Sequence, residues 1–237
     1  MKVGTQGKAV RAKANHYART RTRLQHKGTR SAKRRMIALS GRERRFKLNT
    51  NHVIAKTIVN AHPNTLIGLE DLTGIRERTK RRKRRRKGKE VLPLTPKQRR
   101  ANRHASKWAF AELHGIMTYK AALSGSSLVV KVDADYTSKA CPVCGYIDKR
   151  NRPGNGLTFE CQSKECRYRV RTGRAYRLHA DLIGARNIAM RTCLIRQDWV
   201  RTGQLSVAPD VSDREAKAAH LSRYAELRWS PDASPLL

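Results

Sequence analysis

Two cysteine pairs carry the plainest chemistry in this chain: Cys141-Pro-Val-Cys144 and Cys161-Gln-Ser-Lys-Glu-Cys166. Paired thiolates on either side of a short spacer build a closed tetrahedral site for zinc. The spacer, Gly145 to Glu160, is rich in Arg, Asn, Pro and Gly, as the turn of a small hairpin should be. Four residues separate the second pair, which widens one knuckle within the tolerated ligand spacing. The alternative is buried or disulfide-bonded cysteine, which the intracellular character of the rest of the chain disfavours. Cys193, on the following helix, reads as a small core residue.

Two acids form the second candidate. Glu70 ends an apolar run that suits a strand, and Asp181 lies near the start of a helix beyond the cysteines. Carboxylates brought from separate elements are what two-metal phosphodiester hydrolysis requires, and magnesium takes such oxygen ligands while retaining waters. An acid at a strand end also serves as a turn residue, and Asp181 could cap its helix. The residues by themselves leave both readings open.

Helices and strands must position these groups. Residues 8–61 read as two basic helices, the first to about His26, broken at Lys27-Gly28-Thr29. The second starts near Ser31 and places Met36, Leu39, Phe46, Ile54 and Ile58 at helical spacing. Its remaining surface is nearly all Arg and Lys, including Arg34, Arg35, Arg44 and Arg45, as expected of a helix lying along a phosphate backbone. Pro63-Asn64 turns the chain into Thr65–Glu70, read as a buried strand. From Lys80 to Lys89 every residue but Gly88 is basic. That block, with Arg81, Arg82, Arg84, Arg85 and Arg86, repels itself, so a mobile loop over 76–89 that gains order on nucleic acid is expected.

Thr95-Pro96 opens a helix with a cap residue and a proline at its first position. Trp108, Phe110, Leu113, Ile116, Met117 and Tyr119 mark its buried side. Leu128–Asp133 is a β-branched strand leading into the cysteines, and His179 to about Asp198 is a further helix. Asp213 to Leu227 could form a short helix, but the end of the chain reads as a loose tail. The expected organisation is thus basic helices over 1–62, strands and a helix over 63–136, a zinc ribbon over 137–172, a last helix over 173–200 and the tail over 201–237.

Composition narrows the partners. The 237 residues hold 53 Lys+Arg against 18 Asp+Glu, a formal charge of +35, with a pI near 11.2. Nucleic acid is the economical partner for such an excess. An anionic membrane surface would also attract it, but no long apolar stretch or signal peptide is evident, so no membrane partner and a cytoplasmic location are expected.

A longer series of residues joins these features. It comprises Leu24-Gln25, Gly28–Arg35, Ser40–Phe46, Asn51-His52, Leu69-Glu-Asp-Leu-Thr-Gly-Ile-Arg76, Trp108, Tyr119-Lys120, Val132-Asp-Ala-Asp-Tyr-Thr-Ser138, the cysteine pairs and His179-Ala-Asp-Leu-Ile-Gly-Ala-Arg-Asn-Ile188. In this order and spacing it resembles the C-terminal half of the TnpB family, transposon-encoded RNA-guided DNA nucleases similar to type V CRISPR effectors. The resemblance implies an α/β fold, an RNase H-like domain of RuvC type interrupted by a zinc ribbon. It also implies that Glu70 and Asp181 match the second and third catalytic acids and bind magnesium. Cys141, Cys144, Cys161 and Cys166 would hold structural zinc, and DNA and a guide RNA would be the partners.

Two departures stand out. The last motif more commonly carries Asn-Ala-Ala where Ile183-Gly184-Ala185 stands here. The family's first catalytic Asp lies on a strand ahead of the basic helices, whereas no Asp precedes Asp71 in this sequence. Asp133 and Asp135 have no catalytic role in the family. The expectation is therefore an N-terminally truncated nuclease with an incomplete magnesium site, inactive alone, to which a separate N-terminal fragment could supply the missing strand. The alternative is a non-cutting zinc-ribbon regulator that binds nucleic acid, and a basic ribosome-associated ribbon protein is a third reading.

Overall fold

The computed structural model describes residues 3–73, 95–96, 110–125, 127–154, 156–205 and 214–230. They fall into two compact units, Met1–Pro63 with Leu72–Ser126 and Asn64–Asp71 with Ser127–Leu237.

The first unit is helical. Helix α1 spans Val3–Lys27 and α2 spans Arg30–Ala61, a rod of about 48 Å at 1.5 Å per residue. Gly28 takes the left-handed conformation that breaks them (φ +63°), and Thr29 caps α2 by accepting from the Ala32 N–H at 3.2 Å. The helices fold back on one another, because Tyr17 meets Phe46 and Arg21 meets Glu43. Lys47 also reaches Glu43, at 2.8 Å. Burial pushes the Glu43 carboxyl upward, but hydrogen bonds from Lys47 and Arg21 outweigh it and hold the group below its ordinary value.

Ala32, Leu39, Asn51, Ala55 and Val59 are the buried residues of α2. A Val or Leu side chain taken fully out of water stabilises by about 1.5–3 kcal/mol, so this narrow stripe suffices to seat an otherwise basic helix. Its partner is α3, Phe110–Ser124, where Ile116, Met117 and Ala121 are buried. Asn51 donates to Glu112 at 2.8 Å across that interface. Tyr119, expected on the buried side, is instead 41% exposed and meets His52 through its hydroxyl at 3.1 Å. Helix α3 is apolar on nearly every side, so periodicity did not single out its inner face. Trp108 and the basic run 76–89 lie outside the described residues.

The second unit is built on two parallel strands. Strand β1 is Leu66–Asp71 and β2 is Leu128–Asp133, paired in register from Leu66↔Leu128 to Asp71↔Asp133. Strand β1 is half-buried throughout rather than buried, and among the described residues no strand other than β2 pairs with it. The short helix α4 spans Arg167–Thr172, and the long helix α5, Ala180–Thr202, packs on both strands. The buried positions of α5, Ala180, Ile183, Gly184, Asn187, Arg191, Thr192 and Ile195, recur at helical spacing. Val130, Val132 and Ile195 form the core between strands and helix. Gly68 permits the close approach, since a Cβ there would lie 3.0 Å from the Thr192 Cβ and nearer still to its hydroxyl. Cys193, read as a core residue, is exposed because the period that turns Thr192 inward turns its neighbour out.

A second pair of strands, β3 (Thr158–Glu160) and β4 (Arg177–His179), runs antiparallel beside the cysteines. Within the stretch read as a tail, residues 214–230 are described and contain the short helix that the sequence allowed. Helix α6, Arg214–Glu226, is held by a two-pronged pair from Arg223 to Asp198 at 2.8 and 2.9 Å and by Lys217 on Asp135 at 2.6 Å. The guanidinium of Arg191 lies 4.1 Å from the Tyr224 ring centroid, and the backbone N–H of Trp229 donates to the Pro142 carbonyl at 2.8 Å. Ion pairs and stacking do the holding, which a search for apolar periodicity passes over. Among the described residues, no helix is long and apolar enough to cross a membrane.

Candidate metal centre and acidic site

The cysteine cage is assembled by two knuckles. In the first, the Cys141 N–H donates to the Tyr146 carbonyl at 2.9 Å and the Gly145 N–H to the Cys141 carbonyl at 2.8 Å, a turn that needs the positive φ of Gly145 (+78°). In the second, Cys161 follows β3 and Cys166 leads into α4. All four Sγ atoms lie within 4.8 Å of one another, and Cys144 and Cys161 are 3.7 Å apart. Sulfurs about 2.3 Å from a tetrahedral zinc stand about 3.8 Å apart, whereas a disulfide needs about 2.0 Å. The donor set therefore fits zinc and not a disulfide.

Electrostatics agree. Hydrogen bonds to Cys144 and Cys161, then burial, push the Cys141 thiol well up, while hydrogen bonds from Cys141 and Cys161 hold Cys144 far down. Four thiolates cannot ionise side by side without a cation between them; a dication relieves that repulsion and zinc would stiffen the fold here. The cage sits on an apolar floor of Val143, Phe159, Tyr176 and Ile183.

Asn151, fully buried, staples the two knuckles. Its amide donates to the carbonyls of Lys139 (2.8 Å) and Tyr146 (3.2 Å) and accepts from the Gln162 N–H at 3.0 Å. Sequence reasoning saw it only as a turn residue of the spacer.

Glu70 stands opposite Val132 in the register, at the carboxyl end of the parallel pair, and its Oε1 accepts from the Thr137 hydroxyl at 2.8 Å. Asp181 occupies the first turn of α5. Its side chain is 89% exposed, and its backbone N–H donates to Nδ1 of His179, the cap residue, at 3.3 Å. The alternative of Asp181 as the cap is thus set aside, since His179 fills that place. Among the described residues, only the four cysteines form a group of three or more potential ligands within 4.8 Å. Glu70 and Asp181 supply oxygen donors suited to magnesium, but the structure does not gather them with a third ligand.

Two buried residues of α5 that the sequence reading did not single out hold the loop after β2. Asn187 donates to the carbonyls of Thr137 (2.6 Å) and Ala140 (3.0 Å). Arg191 donates to the carbonyls of Asp133 and Asp135, the latter at 2.7 Å. Burial lowers the Arg191 pKa, partly offset by Tyr224, Asp133, Asp135 and Glu70. In the first unit, Arg34, Arg35, Arg44 and Arg45 are exposed on α2, open to solvent as a phosphate-binding face must be. Arg81, Arg82, Arg84, Arg85 and Arg86 fall outside the described residues.

Residues 110–188, which include the cysteine cage, match the family model of the Cas12f1-like TNB domain. The CRISPR-associated endodeoxyribonuclease Cas12f1 of Sulfoacidibacillus thermotolerans is 30% identical over 148 residues, 61% of this chain and 27% of that protein. A TnpB-like protein of Methanocaldococcus jannaschii is 32% identical over 112 residues, 46% of this chain and 34% of that one. The matches thus span about a quarter to a third of the length of these relatives. The cryo-EM structure of a Cas12f1-sgRNA-target DNA complex aligns at TM-score 0.45 and 18% identity over 70% of this chain and 40% of that one, too remote a likeness to argue from. The cysteine cage thus lies inside the segment that matches the Cas12f1-like TNB domain, and the relatives that this chain is similar to are TnpB-like and Cas12f proteins.

Proposed function

We propose that residues 1–237 form the part of a transposon-associated, RNA-guided DNA endonuclease of RuvC type that carries the second and third catalytic acids, with DNA and a guide RNA as partners. The observation that carries this reading is the position of Glu70. It lies at the carboxyl end of a parallel strand pair, and the helix packed on that pair bears Asp181 in its first turn. Carboxyl ends of parallel strands are where such sheets present reacting groups. The strand pair and α5 are read as part of an incomplete RNase H-like sheet. Magnesium, when bound, would polarise a phosphodiester oxygen and activate water. Glu70 would offer the carboxylate oxygen that Thr137 leaves free, Asp181 would reach in from solvent, and the cysteines would hold structural zinc.

Two carboxylates do not complete such a centre. The described residues bring no third beside them; in this reading it comes from outside 1–237, and the edge of β1 opposite β2 is the economical place for a strand that carries it, whether in the same chain or in a separate fragment. These 237 residues alone are therefore inactive in cleavage. The test is magnesium-dependent cleavage of DNA by the chain supplied with a family segment bearing that strand and its Asp, with and without guide RNA. Activity lost in Glu70→Ala and in Asp181→Ala supports the reading; activity that survives either substitution removes that acid from the site.

A second reading is a non-cutting nucleic-acid-binding regulator. The lack of a three-carboxylate group among the described residues, beside a charge of +35, favours it. Its signature is affinity for nucleic acid unchanged by Glu70→Ala and Asp181→Ala, with no cleavage once the third carboxylate is supplied.

A further inference from the structure

We infer that Thr137 is the positioning residue of Glu70: its hydroxyl, held by the main chain of the β2-to-ribbon loop, fixes one carboxylate oxygen and leaves the other for a divalent cation. The inference rests on the metal role proposed for Glu70 above.

Thr137 is 3% exposed, and its Oγ1 lies 2.8 Å from Glu70 Oε1 and 3.1 Å from the Ala134 carbonyl oxygen. A hydroxyl has one proton. Donation to a carboxylate is the stronger of the two bonds, so the proton goes to Glu70. Without that bond a glutamate at a strand end has three free torsions and no fixed aim.

The loop that carries Thr137 is itself immobilised. Tyr136 takes a left-handed conformation (φ +59°), and its carbonyl accepts from the N–H groups of Lys139 and Ala140, both at 2.8 Å. Asn187 grips the carbonyls of Thr137 and Ala140, and Arg191, one helical turn on, grips those of Asp133 and Asp135. Both gripping residues are buried, so the carbonyls they satisfy would otherwise stand unpaired away from water. The same loop then enters the zinc knuckle through the Ala140↔Ile147 bridge. Thr137 therefore has little freedom of its own, and it transmits the rigidity of α5 and the zinc ribbon to one oxygen of Glu70. A partner that orients a metal ligand in this way is worth about tenfold or more in metal affinity.

The test uses the full zinc-loaded chain and Mn2+ as probe, with free Mn2+ followed by electron paramagnetic resonance. Glu70→Ala defines the share of binding that belongs to Glu70. Thr137→Val keeps the shape and removes the hydroxyl; Thr137→Ser keeps the hydroxyl and removes the methyl. Zinc content and circular dichroism establish that each variant is folded, and Thr137→Ala replaces the valine variant if that one loses zinc. The expected result is Glu70-dependent Mn2+ binding that weakens about tenfold in Thr137→Val and returns to the native affinity in Thr137→Ser. Native affinity in a folded Thr137→Val, or equal weakening in Thr137→Ser, overturns the positioning role and leaves the metal role of Glu70 standing. Binding that Glu70→Ala does not change overturns the metal role itself, and the positioning role with it.

Discussion

Gly68→Ala is the sharpest perturbation that the second unit offers. The new methyl would lie 3.0 Å from the Cβ and 3.3 Å from the Cγ2 of Thr192, and closer again to its Oγ1. Either β1 and α5 part by roughly 1 Å or Thr192 rotates; overpacking of this kind costs about 1–3 kcal/mol. Rotation also breaks the bond from the Thr192 hydroxyl to the Ile188 carbonyl, 2.8 Å in the native chain, for about 1 kcal/mol more. The expected loss is about 2–4 kcal/mol. Urea denaturation followed by circular dichroism reads it directly, with the slope unchanged and the midpoint lowered. Thr192→Ala removes the hydroxyl oxygen, which collides most, together with Cγ2, so the double variant should recover at least about 1 kcal/mol relative to the sum of the single changes. Stability of Gly68→Ala within about 0.5 kcal/mol of native, or strict additivity with Thr192→Ala, would refute the close packing of strand on helix. Glu70 lies two residues further along the same strand, so the parted geometry should also displace it.

Three further outcomes follow from the two units. Cys141→Ser and Cys161→Ser should each lower the zinc content measured by a chromogenic chelator and expose the ribbon to protease, because removing a ligand unfolds what the metal holds; full zinc content in either variant contradicts the cage. Glu43 has its folded-state pKa below the unfolded one, so its contribution to stability is complete above the ordinary carboxylate value of about 4.3 and is lost as pH falls through the lower folded value. Glu43→Gln should abolish that part of the acid sensitivity in a pH series of thermal melts, and an unaltered series would deny the Arg21–Glu43–Lys47 cluster. Replacing Arg34, Arg35, Arg44 and Arg45 by Ala should flatten the plot of log affinity against log salt by about 0.7–0.9 for each phosphate that is no longer neutralised; an unchanged slope removes the α2 face from the nucleic-acid surface.

Sequence reading and structure agree where the deciding forces are local. Gly28 breaks the basic helices because of its own backbone freedom, and β2 begins and ends where its β-branched run does. The cysteine spacing places the four sulfurs in one cage because each knuckle is a tight turn closed by its own backbone hydrogen bonds. Agreement fades where a residue faces an equal choice of sides. Tyr119 and Leu123 lie outward on a helix that is apolar nearly all round, and Cys193 sits one residue from the inward-facing Thr192.

By itself, the sequence determined the spacing of the four cysteines, the large excess of positive charge, the order of helices and strands and the family resemblance. Each of these depends on residue type, on near neighbours along the chain, or on an ordered series of motifs. Only the tertiary structure decided which polar side chains hold the functional groups in place. Thr137 reaches Glu70 across 67 positions, Asn187 reaches Ala140 across 47, and Arg223 docks α6 on Asp198 across 25. Such bonds leave no periodic trace, because a buried carbonyl or carboxylate requires only that some donor arrive. Which donor arrives is set by the packing of α5 against the strands.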